Sequence, residues 1–540
     1  MSEKRTQNKG TKKQQEIQNY KRKEKSFNWV WLGISVLLVI GVIATGVMLN
    51  VADIRQTPKM VMKEYFELLS KGKYEEMYTF VSDTSGIEKK AFLEKNKNIY
   101  EGIQMSGLQV KFDKEKKKKD KEKTAVVSYQ TKMETVAGEK AFYNEASLVK
   151  EKGGDWKLVW EPSLIFPELR EDDRIVVSTV SARRGNILDR NGNGLAVNGT
   201  ILQVGVVPGK MDEDKTGAIE KIAAEMDMTE EEIETKLSAA WVTDDVFVPL
   251  KSMAKGNEEK EQRLLGIKGV MISETEGRVY PLGAAGGHLT GYVQPISAEE
   301  LEEKQSEGYH ENSVIGKSGL ELAYEKTLKG SDGYEIYTAD QNGKTKILLA
   351  AKEKEDGQDV TVTIDAAIQQ KAYEQFQGDP AMAVSINPKT GEVMALVSTP
   401  AYDPNEFVYG ISDRRWTELN EDPNRPLLNR FYAALVPGST FKPITAAIGM
   451  DAGKLDPNEN KGYVGLSWQK DASWGEYMVT TLTDYGSEVN LQNALVYSDN
   501  IYFARAALDI GADTMIEGMR RAGFEEELPF DIGAQVSTFG

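Results

Sequence analysis

The sequence predicts a multidomain α+β protein held to a membrane by a single N-terminal helix. Three observations carry that prediction. A chain of 540 residues exceeds what one hydrophobic core organises, because domains run to about 100–200 residues. One stretch without any charged side chain, Ser26 to Ala52, interrupts the N-terminal region. Beyond it, helical and strand-like periodicities alternate in a chain that is 40% hydrophobic and 28% charged, which is ordinary globular composition.

Residues 1–28 hold nine Lys/Arg against three acids, a net of +6 that leaves −23 for the remainder. They are expected to form a cytoplasmic tail. Trp29 to Val51 is 23 residues rich in Val, Leu, Ile and Gly, and such a transmembrane helix (29–51) is about 35 Å long, enough to cross a hydrocarbon core of about 30 Å. A cleavable signal peptide would have a shorter apolar region, about 7–15 residues, ending at a small-residue site. The basic flank Lys21, Arg22, Lys23 and Lys25 places the N-terminus inside, with Trp29 and Trp31 at the interface. A single-pass protein of the cytoplasmic membrane follows, with its bulk outside the cell. That bulk is acidic and lacks the cations that neutralise phosphates, so nucleic acid is excluded as a partner. The Lys114–Lys123 run is interleaved with Glu115, Asp120 and Glu122 and reads as a solvated loop. Cysteine is absent, which excludes disulfides, thiolate nucleophiles and Cys-zinc sites. His288 and His310 are the only histidines, and neither lies in a ligand pattern. Neither a metal nor a cofactor is expected.

In the first outer segment, 55–165, Met60, Val61, Tyr65, Phe66, Leu68 and Leu69 recur at helical spacing, and Tyr74, Met77, Tyr78 and Val81 continue the pattern after Gly72. Two helices are expected, followed by strands at Thr124–Gln130 and Ala141–Val149. A hairpin should run from Lys150 through Gly153-Gly154 to Trp160. The arrangement resembles the small NTF2-like α+β domain behind the membrane anchor of penicillin-binding proteins of the methicillin-resistance transpeptidase and Bacillus-type penicillin-binding protein 3 group. A spacer role is expected of it.

The segment 170–350 opens on Arg183-Arg184-Gly185-Asn186-Ile187-Leu188-Asp189-Arg190-Asn191-Gly192. Physically, Asn186–Leu188 is a short strand and the Asp, Asn and Gly residues after it make a turn. The string also resembles the signature that begins the β-rich pedestal, or dimerisation, module of class B penicillin-binding proteins. Tyr280-Pro281-Leu282-Gly283 with His288 and Gly291, then Gly319-Leu320-Glu321 with Gly330 and Gly333, resemble that module's later signatures in order. His288 reads as a packing residue, and Arg184 with Asp189 as a structural salt bridge.

The chemistry is expected within 360–540, after Thr363-Ile364-Asp365. Ala381–Ile386 and Glu392–Ser398 form a hairpin around Asn387-Pro388-Lys389-Thr390-Gly391. The K-T-G in that turn and the K-S-G at Lys317-Ser318-Gly319 both precede the candidate nucleophile and read as structural. Ser439-Thr440-Phe441-Lys442 follows Pro437-Gly438 and leads into Ile444, Ala446, Ala447, Ile448 and Met450, a buried helix with Pro443 in its first turn. A spacing of i, i+3 puts Ser439 and Lys442 on one face, where the amine can take the hydroxyl proton. Helix N-terminal N–H groups favour the oxyanion of acyl transfer. A lysine is mostly protonated near neutrality, so burial or a neighbouring cation must lower its pKa.

Tyr497-Ser498-Asp499-Asn500 lies 59 residues, counted from Ser439 to Ser498, farther on, in a loop between the helical runs Leu491–Val496 and Tyr502–Leu508. S-x-x-K followed by S-D-N resembles the serine penicillin-recognising enzymes, by resemblance and not by derivation. Asn429-Arg430 and Val436-Pro437-Gly438 fit the same family, the class B penicillin-binding proteins. The resemblance implies a serine D,D-transpeptidase that cross-links peptidoglycan stem peptides ending in D-Ala-D-Ala and is acylated by β-lactams. It makes Ser439 the nucleophile, Lys442 the base and Ser498 a proton relay to the leaving amine. Asn500 would hold the substrate backbone and orient Lys442. A partner glycosyltransferase is also implied.

One departure stands out: no K-[ST]-G follows Asn500 before Gly540. The penicillin-binding, serine β-lactamase-like α/β transpeptidase domain at 360–540 is therefore expected to be its N-terminal part only, inactive as a fragment. A β-lactam hydrolase or sensor and a non-catalytic scaffold of wall synthesis are the alternatives. Protease added to intact protoplasts should digest everything after about residue 53, the end of the apolar span; complete protection of that body would refute the outside placement.

Overall fold

The computed structural model describes residues 56–114, 123–376 and 378–539. The tail at 1–28 and the apolar span Trp29–Val51 lie outside the described residues, as does most of the Lys114–Lys123 run. Among the described residues no helix is long and apolar enough to cross a membrane. The chain divides into two units. The first comprises the residues up to Val180 together with Gly333–Glu353, and the second comprises Ser181–Asp332 with Lys354 onward. The strands Gly333–Ala339 and Thr345–Lys352 lie in the first unit.

In the first unit, Thr57 caps the helix Pro58–Ser70 by accepting from the Met60 N–H, and Pro58 sits in the first turn, where no N–H is needed. Val61, Met62, Tyr65, Phe66 and Leu69 form its buried stripe, at the helical spacing read from the sequence. Two further helices, Tyr74–Tyr78 and Lys89–Gly102, follow. The four strands Ser106–Phe112, Thr124–Thr135, Gly138–Lys150 and Trp156–Val159 pair antiparallel in sequence order. Along the second, Ala125, Val127, Tyr129, Thr131 and Met133 alternate into the core, the period of a half-buried strand. Trp160 donates its indole N–H to the Tyr65 hydroxyl at 3.1 Å, satisfying a buried donor. A second sheet places Gly333–Ala339 between Arg174–Val180 and Thr345–Lys352.

In the second unit, the strand Gly194–Val206 pairs antiparallel with Val248–Ala254 and with Val270–Val279. Leu202, Val204 and Val206 bury one face of it beside Ile219, Ile222, Met226 and Leu264 of the helices Thr216–Met226 and Glu258–Leu265. Ile187–Leu188 is the short strand expected from the motif, and it also pairs parallel with Val360–Thr361. Gly185 must be glycine: a Cβ there would lie 2.0 Å from the Gln358 carbonyl oxygen.

The expected Arg184–Asp189 bridge is replaced by two separate arrangements. Arg184 bonds Glu321 at 2.8 Å and Glu325 at 2.6 Å, while Arg278 bonds the other Glu321 oxygen at 2.7 Å. All of these groups are buried. Burial alone would lower the Arg184 pKa, but the two carboxylates outweigh it and raise it. Asp189 instead caps its own turn, accepting from the backbone N–H groups of Asn191, Asn193 and Ala366. Desolvation opposes ionisation there, and those bonds with the Asn193 side chain hold its pKa down at about 2. Sequence separation explains the miss: Glu321 is 137 residues from Arg184, and Asp189 is the nearer acid.

His288 is buried, donates from Nε2 to the Pro426 carbonyl at 2.9 Å and meets the Tyr402 ring edge-on. Burial pushes its pKa down to about 4, so the ring is neutral near pH 7. Lys317 is held by both Glu300 oxygens at 2.6 Å, and Lys389 sits in the exposed turn of the hairpin Ala381–Ile386 and Val393–Thr399. Glu321→Ala is expected to destabilise the second unit by about 3–5 kcal/mol, because removing one partner leaves buried charge uncompensated. Calorimetry should show its unfolding transition lowered while that of the first unit stays put; an unshifted transition would contradict this role.

Candidate active site

Six short elements of the second unit bring the motif residues together. Ser439 lies in the 3₁₀ turn Gly438–Phe441, which runs directly into the helix Lys442–Asp451 with Pro443 in its first turn. Thr445, Ala446, Ile448 and Gly449 are its buried residues, whereas Ile444 and Met450 are 37% and 43% exposed. The helix expected to be buried throughout therefore buries one face. Gly449 lets that face close up, since a Cβ there would meet Ile510 and Leu455 side-chain atoms at 2.8 and 2.9 Å.

Ser498 and Asn500 arrive from the other side. The helices Leu491–Val496 and Asn500–Ile510 flank a tight turn, and Asp499 caps the second by accepting from the Ile501 and Tyr502 N–H groups at 2.8 and 3.1 Å. Ser498 takes φ 53°, the left-handed region that a non-glycine residue rarely occupies. The two-stranded ribbon Ser467–Trp468 and Val479–Thr480 completes the wall.

Lys442 Nζ donates to the Ser498 carbonyl at 2.6 Å, to Ser498 Oγ at 2.9 Å and to Asn500 Oδ1 at 2.6 Å. Ser498 Oγ in turn donates to Ser439 Oγ at 2.8 Å. The link between Ser439 and Lys442 thus passes through Ser498, not directly along the helix face. Asn500 donates from Nδ2 to the Thr480 carbonyl at 2.9 Å, which sets its amide with the oxygen toward Lys442. Ser439, Ser498 and Asn500 are exposed and Lys442 is half-buried, so all four can meet a ligand.

Desolvation lowers the Lys442 pKa from 10.5, and the Asp499 charge works against it. Burial acts as expected, but the neighbouring charge has the sign opposite to the one expected. Phe503 lies 5.8 Å from the ammonium. Sequence reasoning singled out neither Asp499 nor Thr480, although an Asp directly before a helical run is an N-cap signal. The arrangement is a hydroxyl joined to an amine through a second hydroxyl at a helix start, which suits nucleophilic attack on a carbonyl. With selectively ¹³C-labelled lysine, the Lys442 resonance should titrate at lower pH than an ordinary lysine and vanish in Lys442→Arg; a midpoint at or above 10.5 would contradict the burial effect.

Residues 381–539 match the penicillin binding protein transpeptidase domain, 179–362 the penicillin-binding protein dimerisation domain, and 57–173 the NTF2-like N-terminal transpeptidase domain. The chain is 40% identical over 488 residues to penicillin-binding protein 3 of Bacillus subtilis, covering 89% of this chain and 72% of that protein. It is 32% identical over 376 residues to the peptidoglycan D,D-transpeptidase MrdA of Escherichia coli K12, covering 68% of this chain and 59% of that protein. In fold it resembles the penicillin-binding protein PBP2 of Helicobacter pylori, solved in complex with MreC. That likeness has a TM-score of 0.50 at 24% identity, over 67% of this chain and 68% of the other.

Proposed function

The chain belongs to the class B penicillin-binding proteins with an NTF2-like N-terminal domain, a family of serine peptidoglycan D,D-transpeptidases, and we propose that Ser439, Lys442 and Ser498 carry that reaction here, with Asn500 binding substrate. The observation that supports these roles is the chain of contacts from Ser439 through Ser498 to Lys442 and Asn500.

In this reading a stem peptide ending in D-Ala-D-Ala lies along the Asn500 side of the site. Ser439 Oγ attacks the carbonyl carbon of the penultimate residue while its proton passes through Ser498 to the neutral Lys442 amine. The tetrahedral oxyanion faces N–H groups at the start of the Ser439 turn. Its collapse breaks the peptide bond, and the departing D-Ala amine takes the proton back from Lys442 through Ser498. The amine of a second stem peptide then attacks the acyl-Ser439 ester, forming the cross-link and regenerating the serine. A β-lactam acylates the same oxygen when its ring amide opens.

The matched families support a division into the NTF2-like domain at 55–165, the pedestal at 170–350 and the transpeptidase domain at 360–540. The basic flank and apolar run support a membrane anchor with the body outside. A glycosyltransferase is the partner this reading calls for, because cross-linking needs newly made glycan strands.

In a chain continued through a K-[ST]-G strand, fluorescent penicillin should form a stable adduct that peptide mapping locates at Ser439. Ser439→Ala should abolish it with the fold intact. Lys442→Ala should remove nearly as much, since the loss of one member of a catalytic unit approaches the loss of all. An adduct on another serine would overturn the assignment.

A further inference from the structure

The reaction as drawn leaves the middle residue of the Ser498-Asp499-Asn500 turn without a catalytic part, yet its side chain is among the most constrained near the site. The Asp499 carboxylate is buried, and a buried carboxylate needs hydrogen bonds to stay charged. One oxygen caps the following helix through the Ile501 and Tyr502 N–H groups. The other accepts the Tyr485 hydroxyl at 2.8 Å. Tyr485 is itself anchored by its ring, which lies parallel to that of Tyr497 with centroids 4.5 Å apart and an interplanar angle of 3°. Tyr497 immediately precedes Ser498, so Tyr485 grips the turn from both ends: by its ring before Ser498 and by its hydroxyl after it.

The turn needs such a grip. Ser498 carries a side chain at φ 53°, a conformation that persists only when surrounding contacts over-determine it. Asp499 lines a shallow recess together with Val464, Thr481, Tyr485, Ile501 and Arg505. Arg505 points its guanidinium at the Lys461 and Gly462 carbonyls and contributes no ion pair to Asp499. Among the described residues, the Tyr485 hydroxyl is the side-chain donor to the Asp499 carboxylate.

We propose that Tyr485 is a positioning residue of the reaction: its hydroxyl, bonded to Asp499, holds the turn in the left-handed conformation that sets the Ser498 hydroxyl between Lys442 and Ser439. The inference rests on the transpeptidase reading of those three residues. Tyr485→Phe is the discriminating change, because it keeps the stacked ring and removes one oxygen.

In the chain continued through a K-[ST]-G strand, the rate of fluorescent-penicillin acylation of Ser439 should fall about 10-fold in Tyr485→Phe, the order expected for one hydrogen bond to a charged group, while the protein still folds cooperatively. Repeating the substitution in a Ser498→Ala background, followed over long labelling times, tests the route of the effect. There Tyr485→Phe should change nothing further, since the hydroxyl it positions is gone. An unchanged rate in Tyr485→Phe overturns the proposal, and so does an equal fold-loss in both backgrounds, which marks a general effect on the fold. If the unsubstituted chain, continued through a K-[ST]-G strand, does not label at Ser439 at all, the transpeptidase reading fails and the positioning role falls with it.

Discussion

The Glu321 carboxylate is the point on which the second unit is assembled. It is wholly buried and shared by two guanidiniums, Arg184 on one oxygen and Arg278 on the other. Tyr280 adds a hydroxyl donor. Each of these residues comes from a different element: the entry motif, the long strand Val270–Val279, the loop after it, and the helix Gly319–Ala323. Two charges taken from water lose much of what their mutual attraction returns, so an apolar cluster of equal volume could be as stable. What the ionic cluster adds is direction. Guanidinium–carboxylate bonds have fixed angles and apolar contacts do not, so the cluster favours one register of the four elements.

That register is carried toward the site by polar contacts, not by packing alone. The Tyr280 backbone gives its N–H to Asn405 Oδ1 and accepts from Asn405 Nδ2, tying the end of the strand Val270–Val279 to the helix Pro404–Tyr409. Gln369, fully buried, bridges the Ala285 carbonyl and both backbone groups of Leu396. Ser398 then accepts from the Arg430 N–H and donates to the Leu428 carbonyl, and His288 holds Pro426. The chain that leaves this frame at about residue 430 enters the Ser439 turn. Around Ser439 the contacts are exposed and few, so a rigid buried frame presents a solvent-facing site.

What could be read from the sequence follows the range of the interaction. Ser439 and Lys442 are three residues apart, and Ser498 and Asn500 two; spacing put the first pair on one helix face, but it was the resemblance of both short motifs to the serine penicillin-recognising enzymes that singled out the four residues. The helix Pro58–Ser70 was legible from spacing, its stripe recurring within single turns. The helix Lys89–Gly102 was not: Phe92, Asn96, Ile99 and Tyr100 bury one face, but Lys and Glu fill most intervening positions. Nothing local announces that Gly333–Ala339 pairs with Arg174–Val180, that Arg184 reaches Glu321, or that Tyr485 reaches Asp499. Each joins residues beyond the reach of a single helix or strand, 14 residues apart for Tyr485 and Asp499 and 137 for Arg184 and Glu321, and periodicity carries no information about such partners.

The indirect link between Ser439 and Lys442 belongs to this long-range class, and it constrains the chemistry. A lysine ammonium has three N–H donors, and here they meet three acceptors: the Ser498 carbonyl, Ser498 Oγ and Asn500 Oδ1. To act as a base the amine must lose one proton, and its new lone pair must face a donor. The Ser498 carbonyl has no hydrogen to offer. Asn500 cannot turn its NH₂ inward without giving up the Thr480 carbonyl. Only the Ser498 hydroxyl can rotate and reverse its role, and when it does, its oxygen is left to accept from Ser439. Reversing one hydroxyl therefore converts the resting pattern, in which protons point from Lys442 toward Ser439, into one in which they point from Ser439 toward Lys442. On the proposed reading of Lys442 as the base, the geometry that engages its three N–H donors also offers the path for the reverse proton transfer, and that path depends on Ser498 keeping its turn.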